Sequence, residues 1–242
     1  MTHTPAPPSP EFDAFSENYD EALSRGLSVS GENKEYFAKG RAQWLRYCLE
    51  QFQEEVDSVL DYGCGDGSNS QWLVEILKAG KVISLDCSSN MIQKARGKYG
   101  TERTLFSSIG DFCPAGQIDL AFCNGVFHHI PVQERSAAVR YIFQSLKPNG
   151  LFAFWENNPW NPGTRYVMSR VPFDRDAVTL SPPEAKRLLK EAGFEVLRTD
   201  FLFIFPSVLK CLRWIEPFIS HLPFGGQYQI IGRKPRFYSA SQ

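Results

Sequence analysis

From Val56 onward the chain alternates short runs of β-branched and aliphatic residues with amphipathic stretches: SVLDYG, QWLVEILKAG, KVISLD and NMIQKARGKY follow one another. Short apolar runs of this kind predict buried strands, and spacing at i, i+3 and i+4 predicts helices. Their regular alternation predicts parallel strands joined by crossover helices, an α/β architecture. The series continues with TLFSSIG, IDLAFCN, a helix from about Gln133 to Leu146, the turn KPNG and the strand LFAFWE. After an irregular stretch from Asn157 to Leu180 comes SPPEAKRLLKEAGF, whose Ser cap, first-turn prolines and trailing Gly mark both ends of a helix. EVLRTDFLFIF and GQYQIIGRKP read as two closing strands, with PSVLKCLRWIEPFISHLPFG inserted between them. In that insertion Val208, Leu212, Ile215, Ile219 and Leu222 share one helical face, and Pro217 should kink or interrupt it. Upstream, Phe12 to Leu23 and Glu35 to Phe52 carry helical spacing on either side of a Gly/Ser-rich loop, Arg25 to Glu32. The proline-rich residues 1–10 predict a disordered arm, which leaves 11–242 as one domain. Within it, 11–54 form an N-terminal helical lid, and 157–180 and 201–226 are insertions on the substrate side.

A chain of 242 residues that is 43% hydrophobic can bury a full core. Lys and Arg total 26 against 27 Asp and Glu, so no overall positive field exists to hold nucleic acid. Cys48, Cys64, Cys87, Cys113, Cys123 and Cys211 are scattered without a CxxC pair, which fits reduced thiols and a cytoplasmic setting. No apolar run approaches the roughly 20 residues that span a bilayer, and the start of the chain lacks the basic and apolar regions of a secretory signal.

The densest chemistry lies in VLDYGCGDGSNSQWL, Val59 to Leu73, where a buried strand meets three alternate glycines and then a helix. Glycines permit the turn and close approach of a ligand, and free N–H groups at a helix start favour an anion such as a carboxylate. Asp61 at the strand end can accept from an ammonium or hold loop amides. Asp86 ends the next strand about 20 residues on, where a carboxylate can accept from ribose hydroxyls. Asp111 and Phe112 follow a third strand, placed for the amino group and the ring of a purine.

Taken in order, DYGCGDG, LDCSSNMIQKAR, GDF, and IDLAFCNGVFHHIP followed by LKPNG resemble the successive motifs of class I S-adenosylmethionine-dependent methyltransferases, in a small-molecule branch similar to quinone-biosynthesis enzymes. The match runs from about Val56 to Phe154. It implies a doubly wound, seven-stranded, mostly parallel sheet of Rossmann-like type whose last strand is antiparallel. It also implies S-adenosylmethionine over the strand ends, with S-adenosylhomocysteine as product. Gly63, Gly65 and Gly67 would line the methionine portion, Asp86 the ribose, and Asp111 with Phe112 the adenine. Asn124 would approach the methionine part, and Cys64, Cys87 and Met91 lie within the same motifs. Members of this family often begin with a YD-containing helix, which makes Tyr19 of FSENYDEAL a candidate contact of the sulfonium. GCGDG is not the G-x-G-x-x-G of dinucleotide folds.

His128 and His129 follow the fourth strand, where either could act as a general base or simply cap the next helix. No Cys or His cluster supplies further ligands at metal-binding spacing, so no metal is expected. Arg41 could bind the methionine carboxylate or lie on a solvated face. Tyr36, Glu156, Asn157, Asn158, Trp160 and Arg165 are candidate acceptor contacts, the last five because they lie at or just after the end of the fifth strand. The apolar segment 201–224 could cover a lipid-linked acceptor or touch a membrane, with Lys210 and Arg213 reaching outward. Methyl transfer needs alignment and exclusion of water more than a catalytic triad. The expected activity is methylation of a small, apolar or lipid-linked molecule. The rival readings are a protein or RNA methyltransferase, disfavoured by charge and by the absence of an NPPY-type motif, and a binding protein without turnover.

Overall fold

The computed structural model describes residues 26–175 and 177–236. The N-terminal arm, the Phe12–Leu23 helix and Tyr19 lie outside the described residues.

A long helix, α1 (Lys34–Phe52), starts where the Asn33 side chain accepts from the Tyr36 amide. It is followed by β1 (Ser58–Tyr62), α2 (Ser70–Leu77), β2 (Lys81–Asp86), α3 (Ser89–Tyr99), β3 (Thr104–Ser108), β4 (Ile118–Asn124), α4 (Arg135–Ser145) and β5 (Leu146–Asn157). Then come α5 (Pro162–Arg170), α6 (Pro182–Glu191), β6 (Glu195–Leu202), a short α7 (Glu216–Ile219) and β7 (Gln227–Arg233). The seven strands form one sheet in the order β3-β2-β1-β4-β5-β7-β6. β1 to β5 are parallel, and β7 runs antiparallel to both β5 and β6. This is the doubly wound sheet that the motif order implied.

Strand alternation builds a core on each face. Along β5, Leu151, Ala153 and Trp155 face α1 and α2, and Phe152 and Phe154 face α4 and α6. Burial on both faces explains why the central strands read as continuous apolar runs. Ser181 and Glu184 close a reciprocal capping box on α6, as the SPPE start predicts.

Two segments differ from expectation. The stretch from Asn157 to Leu180 contains α5 and a 3₁₀ turn, Pro172–Asp174, with Pro162 and Pro172 in the first turns. Proline fits there because those first N–H groups have no helical partner. The insertion folds as a 3₁₀ run, Ser207–Ile215, with a non-helical Leu209, and Pro217 opens α7 instead of kinking one long helix. Val208 is therefore 84% exposed, while Leu212, Ile215, Ile219 and Leu222 are half-buried.

The turn between β1 and α2 is fixed from below. Gly63 and Cys64 both donate to the Leu85 carbonyl, at 2.7 and 2.9 Å. Ser84 donates to Ser70 (2.9 Å), and Ser70 donates to Asp61 (2.7 Å), which links β2, α2 and β1 through buried side chains. Burial pushes the Asp61 carboxyl up to about 7, against the opposing Ser70 bond and with help from Asp86.

Two outcomes follow from this turn. Gly67 has φ +81°, and a Cβ there would meet the Phe106 ring at 2.9 Å and the Ala95 methyl at 3.0 Å. Gly67→Ala should therefore lower stability by about 1–3 kcal/mol, read as a lower thermal midpoint; an unchanged midpoint would contradict the packing described. The folded state keeps the Asp61 proton between the ordinary carboxylate range and about pH 7, so this group's effect is neutral in acid and becomes unfavourable as pH rises through that window. Asp61→Asn should accordingly melt higher than wild type at pH 8 and show no such gain at pH 4; equal midpoints at pH 8 would overturn this.

Candidate active site

One cleft of about 1300 Å³ opens over the C-terminal ends of β1, β2 and β4, where open α/β sheets hold ligands. One part of its wall is the glycine turn. Gly63, Cys64, Gly65, Asp86, Cys87, Met91 and Asn124 line it, together with Asn69 and Ile109. Gly65 has φ +54°, and no heavy atom would lie within 4 Å of a Cβ there, so the backbone presents an open cradle. Asp86 accepts from the Gly65 amide (2.8 Å) and the Ser88 amide (2.9 Å) and lines the cleft. Burial raises its carboxyl against these bonds. The Asn124 side-chain oxygen is buried without a hydrogen-bond partner, an acceptor available to a ligand donor. Arg41 is 5% exposed and reaches across to Gln227 and Asn69, both at 3.0 Å, and all three line the cleft.

Several expected contacts lie elsewhere. Asp61 sits beneath the cleft, bonded to Ser70, and does not line it. Gly67 packs on Phe106 and is likewise not in the wall. β3 ends at Ser108, and the following 3₁₀ turn, Ile109–Asp111, carries Asp111 into solvent. Phe112 packs near Tyr141 with centroids 6.3 Å apart, so Ile109 takes the lining position instead.

The second part of the cleft is built by α1, α5, the 3₁₀ turn before Ala177 and the loop after β6. Tyr36 and Asn157 line it as expected. Phe203, Val167 and Met168 supply apolar wall, and Tyr36, Phe37 and Phe203 form an edge-packed aromatic cluster with centroids 4.9–6.0 Å apart. Arg213 lies over the Tyr36 ring and pairs with Glu32 at 2.8 Å, so it turns inward. Asn158 is fully buried and donates to the carbonyls of Pro223 and Gly225, a structural tie outside the cleft. Trp160 is 51% exposed and stacks on Phe201, and Arg165 is exposed; neither reaches the wall.

The two histidines line the cleft and differ in setting. His128 is buried, with Nδ1 at 2.6 Å from Glu156, whose other oxygen accepts from the Phe127 amide. Glu156 is thus a support behind the wall and does not line the cleft. Asp174, from the 3₁₀ turn, faces Nε2 of both rings. Burial alone would favour a neutral His128, but Glu156 and Asp174 outweigh it and lift the imidazole to about 10. Burial wins at His129 and lowers it, while the histidines hold Asp174 down at about 2 despite its burial. Sequence reasoning missed Asp174, Gln227 and Phe203, which come from segments with no motif of their own, and Asn69, which lies within the glycine motif.

Comparison with known proteins agrees with this geometry. Residues 33–199 match the family model described as a methyltransferase domain. The chain is 28% identical over 170 residues to a trans-aconitate 2-methyltransferase of Escherichia coli O157:H7, covering 67% of each protein. A similar enzyme of Azoarcus sp. is 25% identical over 137 residues, covering 56% of this chain and 53% of that one. Among solved structures, a S-adenosylmethionine-dependent methyltransferase of Thermotoga maritima, described as a possible histamine N-methyltransferase, superposes with a TM-score of 0.62 at 21% identity, covering 92% of this chain and 99% of that one. The open Gly65 cradle, the Asp86 carboxylate and the unpartnered Asn124 oxygen suit a nucleoside that carries an amino acid. The chain belongs to the methyltransferase-domain family and is a class I S-adenosylmethionine-dependent methyltransferase.

Proposed function

We propose that this enzyme methylates a small, neutral acceptor with a largely apolar body, held in the second part of the cleft. The observation that carries this reading is the wall itself: Phe37, Val167, Met168, Phe203 and Phe205 are apolar, and nearby Arg213 is paired with Glu32. Lys34, Arg41 and Arg140 also line the cleft; Lys34 pairs with Asp66, Arg41 is assigned on this reading to the cofactor carboxylate, and Arg140 is exposed. A polyanionic acceptor would need more cationic partners than Arg140 supplies.

On this reading the Gly63–Gly65 turn, whose amides are held by Leu85 and Asp86, offers its open backbone surface to the methionine end of the cofactor, and the Arg41 guanidinium pairs with that end's carboxylate. Asp86 accepts from the ribose, and Met91 and Ile109 border the base. When bound, S-adenosylmethionine supplies an activated methyl on a sulfonium. The protein then aligns the acceptor and excludes water. Asn124 is the last residue of β4 and His128 lies on the short loop that follows, so the cofactor cradle and the histidine pair are fixed to the same strand end. The pair addresses an acceptor oxygen or carbon acid that must lose a proton. The exposed Val208, Trp214, Phe218 and Phe224 support a further element of the reading, that an acceptor carried on a lipid surface meets this side of the enzyme.

With radiolabelled S-adenosylmethionine, transfer is expected to neutral phenols and enols over tricarboxylates; exclusive transfer to trans-aconitate would sink the neutral-acceptor reading. His129→Ala should lower kcat/KM by about 10²–10⁴-fold with cofactor affinity unchanged; an unaltered rate would remove the histidine pair from catalysis. Sedimentation with anionic lipid vesicles should retain the wild type and lose a Trp214→Ser, Phe218→Ser variant; equal recovery of both would contradict the lipid element.

A further inference from the structure

We propose that His128, His129 and Asp174 form a binding site for a divalent transition-metal ion, with Zn²⁺ the best match to the ligand set. One donor atom from each of the three lies within 4.8 Å of the others. The spacing is informative. Nε2 of His128 and Nε2 of His129 stand 3.4 and 3.3 Å from the same Asp174 oxygen, Oδ1. A direct charge-assisted hydrogen bond closes to about 2.7–2.9 Å, and the other nitrogen of His128 does close on Glu156, at 2.6 Å. Asp174 stands back from both rings by a longer distance. Two ligands bound at about 2.0–2.1 Å with a tetrahedral angle between them are separated by about 3.3–3.4 Å, which is the separation on both edges.

The surroundings have the form that a metal site requires. Glu156 fixes Nδ1 of His128 and so aims Nε2 at Asp174, and Glu156 is itself held by the Phe127 amide. A carboxylate behind a ligating imidazole orients the ring and strengthens it as a donor. Two imidazoles, His128 releasing its proton as the ion binds, and a carboxylate leave one position of a tetrahedral ion open, and all three residues line the cleft. An acceptor oxygen at that position would bind a Lewis acid, which makes it easier to deprotonate. With the ion bound, the two histidines are its ligands and not themselves the base, so the ion takes over the role given to the pair above; binding of the ion does not depend on that of S-adenosylmethionine.

The test is calorimetric titration of Zn²⁺ into the full chain after treatment with EDTA and desalting, without cofactor or acceptor. A Cys113→Ser, Cys211→Ser background removes the two exposed thiols as competing ligands. One saturable site per chain is expected, weakened at least 10-fold by Asp174→Asn and by His129→Ala. Glu156→Gln, which alters the support and not a ligand, should weaken it by about 10–100-fold. Thermal melts supply a second readout: Zn²⁺ should raise the midpoint of the background protein and leave that of Asp174→Asn unmoved. No saturable binding, or equal affinity and equal thermal shifts in Asp174→Asn, would overturn the proposal and leave the cluster as hydrogen bonds and ion pairs. Neither result bears on the binding of S-adenosylmethionine.

Discussion

The site depends on one constraint, the closing of the turn between β1 and α2 onto the end of β2. The Leu85 carbonyl accepts from both Gly63 and Cys64, and the Asp86 carboxylate accepts from Gly65, so three successive amides are anchored to one neighbouring strand. Only a left-handed backbone at Gly63, Gly65 and Gly67 allows this path. Below it, Asp61, Ser70 and Ser84 tie the strand, the helix and the next strand together at a cost in carboxylate desolvation. A cradle formed in this way is rigid before ligand arrives, and preorganisation of that kind lowers the cost of binding.

The rest of the cleft hangs from the end of β4 and β5. β4 delivers Asn124 and the loop bearing His128, and β5 delivers Glu156, which locks the imidazole from behind. The antiparallel β7 then brings Gln227 beside Asn157, and Gln227 accepts from Arg41 on α1. Sheet order therefore decides which distant residues meet: α1, β5 and β7 are far apart in sequence and adjacent at the cleft.

The sheet and the glycine turn were legible because their signals are local. Alternate glycines after an apolar run mark a strand-to-helix turn, and each strand from β1 to β5 carries its own apolar run. Asp111 and Phe112 were misplaced because a single 3₁₀ turn after Ser108 rotates both away from the cleft, and nothing in GDF marks that turn. Asp174 was not legible because its segment looked irregular, although Pro162 and Pro172 both stand in the first turns of helical segments. Trp160 and Asn158 show the reverse error, since an amide- and aromatic-rich loop at the sheet edge was used to fasten that edge to Phe201, Pro223 and Gly225.

The central claim is that the cradle formed by Gly63 to Gly65 and Asp86 holds S-adenosylmethionine. Calorimetric titration of the purified, cofactor-free protein with S-adenosylmethionine, beside an Asp86→Ala variant of matched thermal stability, tests it most directly. One saturable site is expected in the wild type, with its loss or strong weakening in the variant. Equal affinity in both would contradict the role given to Asp86, and no binding to the folded wild type would contradict the site as a whole.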